Sequence, residues 1–120
     1  MGKTQQLGGW GEAQALKFLE ERGYKKLTVG YRTRFGEIDL IVTGGGYVVF
    51  AEVKLRKNRE FADAREFVSA AKQKRLRMTA QIWLGSHETE LQPRFDVIEV
   101  YAPDGVKTAQ PEIIHIENAF

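Results

Sequence analysis

The chain contains no cysteine, which excludes disulfides, a thiolate nucleophile and cysteine-ligated zinc. Histidine is scarce as well, with two residues. His87 falls in a loop-like stretch and His115 in a strand-like one, with no nearby ligand spacing, so both read as structural or exposed. Any metal must therefore be held mainly by oxygen, which directs attention to the carboxylates. No apolar run approaches the roughly 20 residues that a bilayer helix needs. The polar start MGKTQQ lacks the apolar stretch of a secretory signal, and Gln6 does not fit a myristoylation signal. These absences predict a cytoplasmic protein with no membrane partner. The formal charge of +2 is too small to argue for a nucleic-acid partner by itself, so the distribution of charge matters more than its total.

With 42% hydrophobic and 28% charged residues in 120, the composition is that of a globular chain with a modest core, read as one domain spanning 1–120. Residues 11–22 contain good helix formers stopped by Gly23. Ala15, Leu16 and Leu19 lie three, four and seven positions after Glu12, placing an acid on the inward stripe. Gly8, Gly9 and Gly11 have no strand before them, so they read as a loose approach to this helix rather than a nucleotide loop.

Leu27, Val29 and Tyr31 alternate as in a half-buried strand, and GEIDLIV forms a second. The triplet Gly44, Gly45, Gly46 predicts a hairpin turn into a third strand over 47–55, and it lacks the Lys-Ser/Thr sequel of a phosphate loop. A second helix is expected over 62–84, ended by Gly85, with Val68, Leu76, Ala80 and Trp83 on one stripe and Lys72 set into it. RFDVIEVYA and EIIHIE supply two more strands around a polar turn. The order is α-β-β-β-α-β-β.

Alternation places Glu37, Asp39 and Ile41 on one face and Ile38, Leu40 and Val42 on the other, and it pairs Glu52 with Lys54. If the hairpin sets Asp39 opposite Glu52, two carboxylates and an ammonium converge, with Glu12 approaching from the helix. Phosphodiester hydrolysis needs a hard cation to polarise the phosphoryl oxygen and help ionise water. Mg²⁺ takes oxygen ligands, so Asp39, Glu52 and the Val53 backbone carbonyl form a candidate site that Glu12 completes or tunes. Lys54 is placed to orient or deprotonate water, or to stabilise transition-state charge. A lone E-x-K on a strand is usually a surface ion pair worth about 0–1 kcal/mol. Several acids converging in apolar elements are a different matter, because buried charge is costly unless paired or bound to metal.

Positive charge surrounds these positions. Arg32 and Arg34 precede Asp39, Arg56, Lys57 and Arg59 follow Lys54, and Lys72, Lys74, Arg75 and Arg77 lie on the second helix, where they can flank a phosphate backbone. Arg94 and Asp96 read as a structural ion pair at a strand start. For Trp10, Phe35 and Trp83, packing is the default and base stacking the alternative.

Taken together, GxxGE, YRxRxGEIDLI, FxEVKxR, the lysine-bearing second helix, RFDV and HIENAF resemble the YraN-type family, related to the Holliday-junction-resolvase-like branch of the restriction-endonuclease-like nucleases. The resemblance implies an α/β fold with a central mixed sheet flanked by helices. It also implies that Asp39, Glu52 and Lys54 match the two acids and the lysine of that superfamily, Glu12 the additional helix acid, and Gln73 a helix residue used in related nucleases. Gly30 and Ala51 depart from the family's usual Asn and Val. The expectation is a Mg²⁺-dependent DNA endonuclease, with Mn²⁺ able to substitute, acting on branched or single-stranded DNA. The alternative is a non-catalytic nucleic-acid-binding or interaction protein that retains the fold. A resolvase would be expected to form a homodimer that cuts symmetrically, although no sequence feature marks an interface.

Overall fold

The computed structural model describes residues 3–58 and 68–120, with side chains from Leu7 onward. Arg59 and the expected helical residues 62–67 lie outside that description. The elements run α1 (Lys3–Glu21), β1 (Lys25–Thr33), β2 (Gly36–Gly44), β3 (Tyr47–Arg56), α2 (Ala70–Ser86), β4 (Gln92–Tyr101) and β5 (Glu112–Ile116), with a short 3₁₀ turn at Gly105–Lys107. The sheet follows chain order, β1-β2-β3-β4-β5. β3 and β4 pair in parallel across the α2 crossover, and every other neighbour is antiparallel. This mixed sheet with its α-β-β-β-α-β-β order matches the restriction-endonuclease-like core expected from the sequence.

The sheet buries both faces. Under α2, Ile38, Ile41, Val48, Phe50 and Val97 meet Val68, Leu76, Ala80 and Trp83. Under α1, Leu40, Val42, Val49, Ala51, Ile98 and Val100 meet Ala15 and Leu19. The long apolar runs of β2, β3 and β4 follow from this two-sided cover, as expected for strands buried on both faces.

Several local expectations are corrected. α1 starts at Lys3 and takes Gly8, Gly9 and Gly11 into the helix, because packing outweighs their low helix propensity. At Gly11 the packing explains the residue, since an added Cβ would lie 3.0 Å from the Leu55 side chain. α2 begins after Ser69, whose side chain accepts the Lys72 N–H, and it continues through Gly85 to a cap at His87. Leu27 and Val29 are 44% and 45% exposed, as edge position and a register shift between Lys26 and Thr28 leave that face of β1 uncovered. In β2, Ile38 sits with Ile41 under α2 while Leu40 and Val42 sit under α1. Strict alternation therefore fails around Asp39. Gly30, with φ of 69°, lies in β1 between the pairs Val29↔Leu40 and Tyr31↔Ile38, opposite that irregularity. Glycine adopts positive φ without steric cost, which suits Gly30 to this position.

The β2–β3 turn uses Gly45 and Gly46 at φ of 60° and 87°, the two positive values that a tight hairpin turn demands. Gly44 has a different reason, because an added Cβ would lie 2.6 Å from Cδ1 of Tyr24. The Tyr24 hydroxyl accepts an Arg94 N–H at 2.8 Å, so the ring cannot swing away freely. Gly44→Ala is expected to destabilise the protein by about 1–3 kcal/mol through overpacking, seen as a lower urea midpoint with an unchanged m value.

Candidate metal and phosphodiester site

The β2–β3 ladder runs from Gly44↔Tyr47 to Leu40↔Ala51. Asp39 and Glu52 are the next residues on each strand. Instead of another backbone pair, the Val53 N–H donates to Asp39 Oδ2 at 2.8 Å. The side chain thus substitutes for the missing backbone acceptor and is fixed to β3 at the point where the ladder ends. The expected juxtaposition of Asp39 and Glu52 is present, and Glu12 approaches from α1.

Carboxylate oxygens of Glu12, Glu37 and Asp39 all lie within 4.8 Å of one another. Glu37 is an acid beyond the expected ligand set, and the signal for it in the sequence is its spacing of two from Asp39, which sets the pair on one strand face. Its carboxylate also accepts the Arg32 Nε–H at 2.7 Å. Arg32 is 78% exposed, so this pair is a surface interaction worth about 0–1 kcal/mol.

Glu52 has a different set of partners. Its Oε1 accepts Lys72 Nζ at 2.8 Å and lies 3.7 Å from Lys54 Nζ, with the Glu52 side chain 9% exposed. Lys72 comes from the first turn of α2, where helical spacing from Leu76 aims it at the sheet. Gly36, Glu37, Asp39, Glu52, Lys72, Arg75 and Leu76 line one cleft. The cleft thus brings three acids from the sheet together with Lys72 and Arg75 of α2.

Electrostatics follows from this crowding. Burial first, then the negative charge of Glu52, pushes Asp39 up to about 7, against the opposing Val53 N–H bond. Burial and the charges of Glu37 and Glu52 also raise Glu12. Burial lowers Lys54, and neighbouring Lys72 and Arg56 add to the effect against the attraction of Glu52. Burial works against Lys72 too, but its hydrogen bond to Glu52 prevails and raises it.

The other expected residues are distributed unevenly. Arg75 lines the cleft, and the Arg34 guanidinium lies 4.8 Å from the Phe35 ring centroid. Gln73 does not line it, as its amide donates to the Val68 carbonyl at 3.0 Å. Arg56 shares the strand face of Glu52 and Lys54 but lies 3.7 Å from Glu99 with its side chain 14% exposed, which leaves little of it for phosphate. Lys57 borders a separate hollow with Asn58, Tyr101 and Glu112. Arg56 is the last residue of β3 and Lys57 follows it, and neither is among the residues that line the cleft.

The Arg94–Asp96 pair is structural, as expected. Asp96 is fully buried and accepts two Arg94 N–H groups at 2.9 and 2.8 Å and the Asn118 N–H at 2.9 Å. His115 Nε2 lies 2.6 Å from its Oδ2. Although burial alone would raise Asp96, these hydrogen bonds prevail and lower it.

Comparison with known proteins agrees with the motif reading. Residues 11–100 match the profile of "Uncharacterised protein family UPF0102". A UPF0102 protein of Rhodococcus jostii is 38% identical over 117 residues, covering 95% of each chain. One of Symbiobacterium thermophilum is 44% identical over 104 residues, covering 85% of this chain and 88% of the relative. One of Vibrio parahaemolyticus is 43% identical over 98 residues, covering 80% and 81%. The names of these relatives assign no activity.

Proposed function

We propose that this chain, which belongs to the uncharacterised protein family UPF0102, is a divalent-metal-dependent endonuclease that hydrolyses phosphodiester bonds of DNA. The observation that carries the reading is one cleft lined by Glu37, Asp39, Glu52 and Lys72, with Glu12 clustered against its acids and Lys54 sharing the buried Glu52 carboxylate with Lys72. The donor set fits Mg²⁺ or Mn²⁺, being all oxygen and composed of acids whose charges burial and mutual repulsion penalise. Asp39 is the central ligand, with Glu12 and Glu37 beside it and Glu52 at the boundary with the lysines. A strand residue directs its N–H and C=O to the same neighbour, so the Val53 carbonyl also faces β2 and can join the set. When bound, the metal would supply Lewis-acid polarisation of the phosphoryl oxygen and a more acidic water.

The chain's own groups do the rest. Glu52 fixes Lys54 and Lys72 by charge-assisted contacts. Lys54, whose ammonium is destabilised, is suited to hold or accept a proton at Nζ during attack. Lys72 and Arg75 bind and orient the phosphate at the cleft rim.

Ligation requires ionised carboxylates. Mn²⁺ affinity, followed by isothermal titration calorimetry, is therefore expected to rise as pH increases from about 6 to 8 and Asp39 loses its proton. A flat profile would count against Asp39 as a ligand. The functional test is metal-dependent cleavage of linear, single-stranded and four-way DNA by the wild type, Asp39→Ala and Glu52→Ala. Absence of wild-type cleavage, or its survival in both variants, would reject the assignment. A second reading, a non-catalytic nucleic-acid-binding protein, draws on the 2.8 Å pairing that already neutralises Glu52. It predicts salt-dependent DNA binding without metal uptake.

A further inference from the structure

The cleft has an aromatic neighbour that the proposed chemistry does not use. Trp83 is 5% exposed within the core under α2, and Trp10 packs against the cluster under α1. Phe35 is half-buried and joins neither cluster among the described residues. It stands at the β1–β2 turn directly before Gly36, which lines the acidic cleft.

We infer that Phe35 is a nucleobase-stacking subsite, receiving an unpaired base of the strand whose phosphate occupies the cleft. The inference rests on the nuclease reading and adds a substrate class to it: nucleic acid with single-stranded or splayed nucleotides at the cutting point.

Three features support this role. The turn is braced, with the Phe35 N–H donating to Thr33 Oγ1 at 3.1 Å and Thr33 Oγ1 lying 3.3 Å from Thr79 Oγ1 of α2. Gly36 packs close to α2, where an added Cβ would lie 3.5 Å from Thr79 Oγ1 and 3.7 Å from Arg75 Cβ. A ring on a rigid turn loses little freedom when a base stacks on it. Cations accompany it: the Arg34 guanidinium lies over the ring, 4.8 Å from its centroid, in a cation–π contact, and Arg75 on the adjoining cleft wall is suited to a flanking phosphate. An aromatic platform flanked by cations binds bases of any sequence through their π faces. Bases within a continuous duplex are already stacked on their neighbours, so the platform selects unpaired ones.

The test separates binding from turnover. In an Asp39→Asn background, dissociation constants for short oligothymidylate and for a blunt duplex are measured by fluorescence anisotropy in Mn²⁺, with and without a Phe35 substitution. Phe35→Ala is expected to weaken oligothymidylate binding by about 10-fold or more, Phe35→Trp to restore it, and neither to change duplex affinity. With 5-iodouracil in the single strand, photo-crosslinking should mark the peptide containing Phe35. Unchanged single-strand affinity in Phe35→Ala overturns the inference and leaves the nuclease reading standing. Equal weakening on the duplex, or failure of Phe35→Trp to restore binding, also overturns it by making Phe35 a packing residue. If the parent binds neither DNA, the nuclease reading fails and the inference falls with it.

Discussion

Asp39→Asn is expected to lower metal-dependent cleavage by about a thousandfold or more, the scale of removing a preorganised charge-stabilising group from a phosphoryl-transfer site. The same substitution should make the metal-free protein more stable at pH 8. Asparagine can still accept the Val53 N–H that Asp39 accepts at 2.8 Å, so the local backbone retains its partner. The carboxylate is raised from 3.8 to about 7 in the folded chain by burial and the charge of Glu52. Between those values the folded state binds more protons than the unfolded one, so this group erodes stability as pH rises through that window. Above about pH 7 the full penalty is present, and asparagine removes it. Below about pH 4 both states are protonated and the advantage disappears. Thermal melting in chelator at pH 4 and pH 8 measures the difference. A lower melting temperature for Asp39→Asn at pH 8 would contradict the electrostatic account, whatever the activity assay reported.

Asp96→Ala is expected to act in the opposite sense on stability, costing about 3–5 kcal/mol, as expected for breaking a buried charge network. Asp96 is fully buried and joins β4 to the chain's last residues through His115 and the Asn118 N–H. Without it, Arg94, with 10% side-chain exposure, keeps among the described residues the Tyr24 hydroxyl, an outlying Glu117 at 3.5 Å and the ring faces of Tyr47 and Tyr24, but no buried carboxylate. Because the folded pKa lies below the ordinary value, the stabilisation from Asp96 is present above about pH 4 and lost as pH falls further. Urea titration at pH 7 checks the magnitude. A loss under about 1 kcal/mol would show that the network is worth no more than a surface pair.

These two acids also show what could be read from the sequence. The site depends on short periodicities: Glu12 one turn before Ala15 and Leu16, Glu52 two residues before Lys54, Lys72 four before Leu76. Helical and strand spacing brings each to the correct face, and the glycine turn at residues 44–46 supplies the register that sets Asp39 near Glu52. The Arg94–Asp96 pair was readable for the same reason. What joined Asp96 to His115 and Asn118 was not, because those contacts arise from the antiparallel β4–β5 pairing, which local spacing does not determine. Glu37 was visible as a neighbour of Asp39 but not as part of its cluster. The cluster is completed by Glu12 of α1, and the way that helix packs on the sheet is not determined by local spacing. The first helix was misplaced at its start because glycine's low propensity is a local term, and the packing of Gly11 against Leu55 is not.

The parallel β3–β4 pairing has a consequence for the order of assembly. β1, β2 and β3 are joined by tight turns, so Glu37, Asp39 and Glu52 can approach one another after short loop closures. Glu52 meets Val97 only when the chain 45 residues further on returns (97 − 52), and the entropy of that closure must be met before its contacts form. We expect the meander to nucleate folding and β4 to dock late, with φ values higher for Val42→Ala than for Val97→Ala in stopped-flow refolding. The reverse order would place the nucleus in the crossover. On this route the folding chain brings its acids together before the β4 strand that completes the central sheet has arrived.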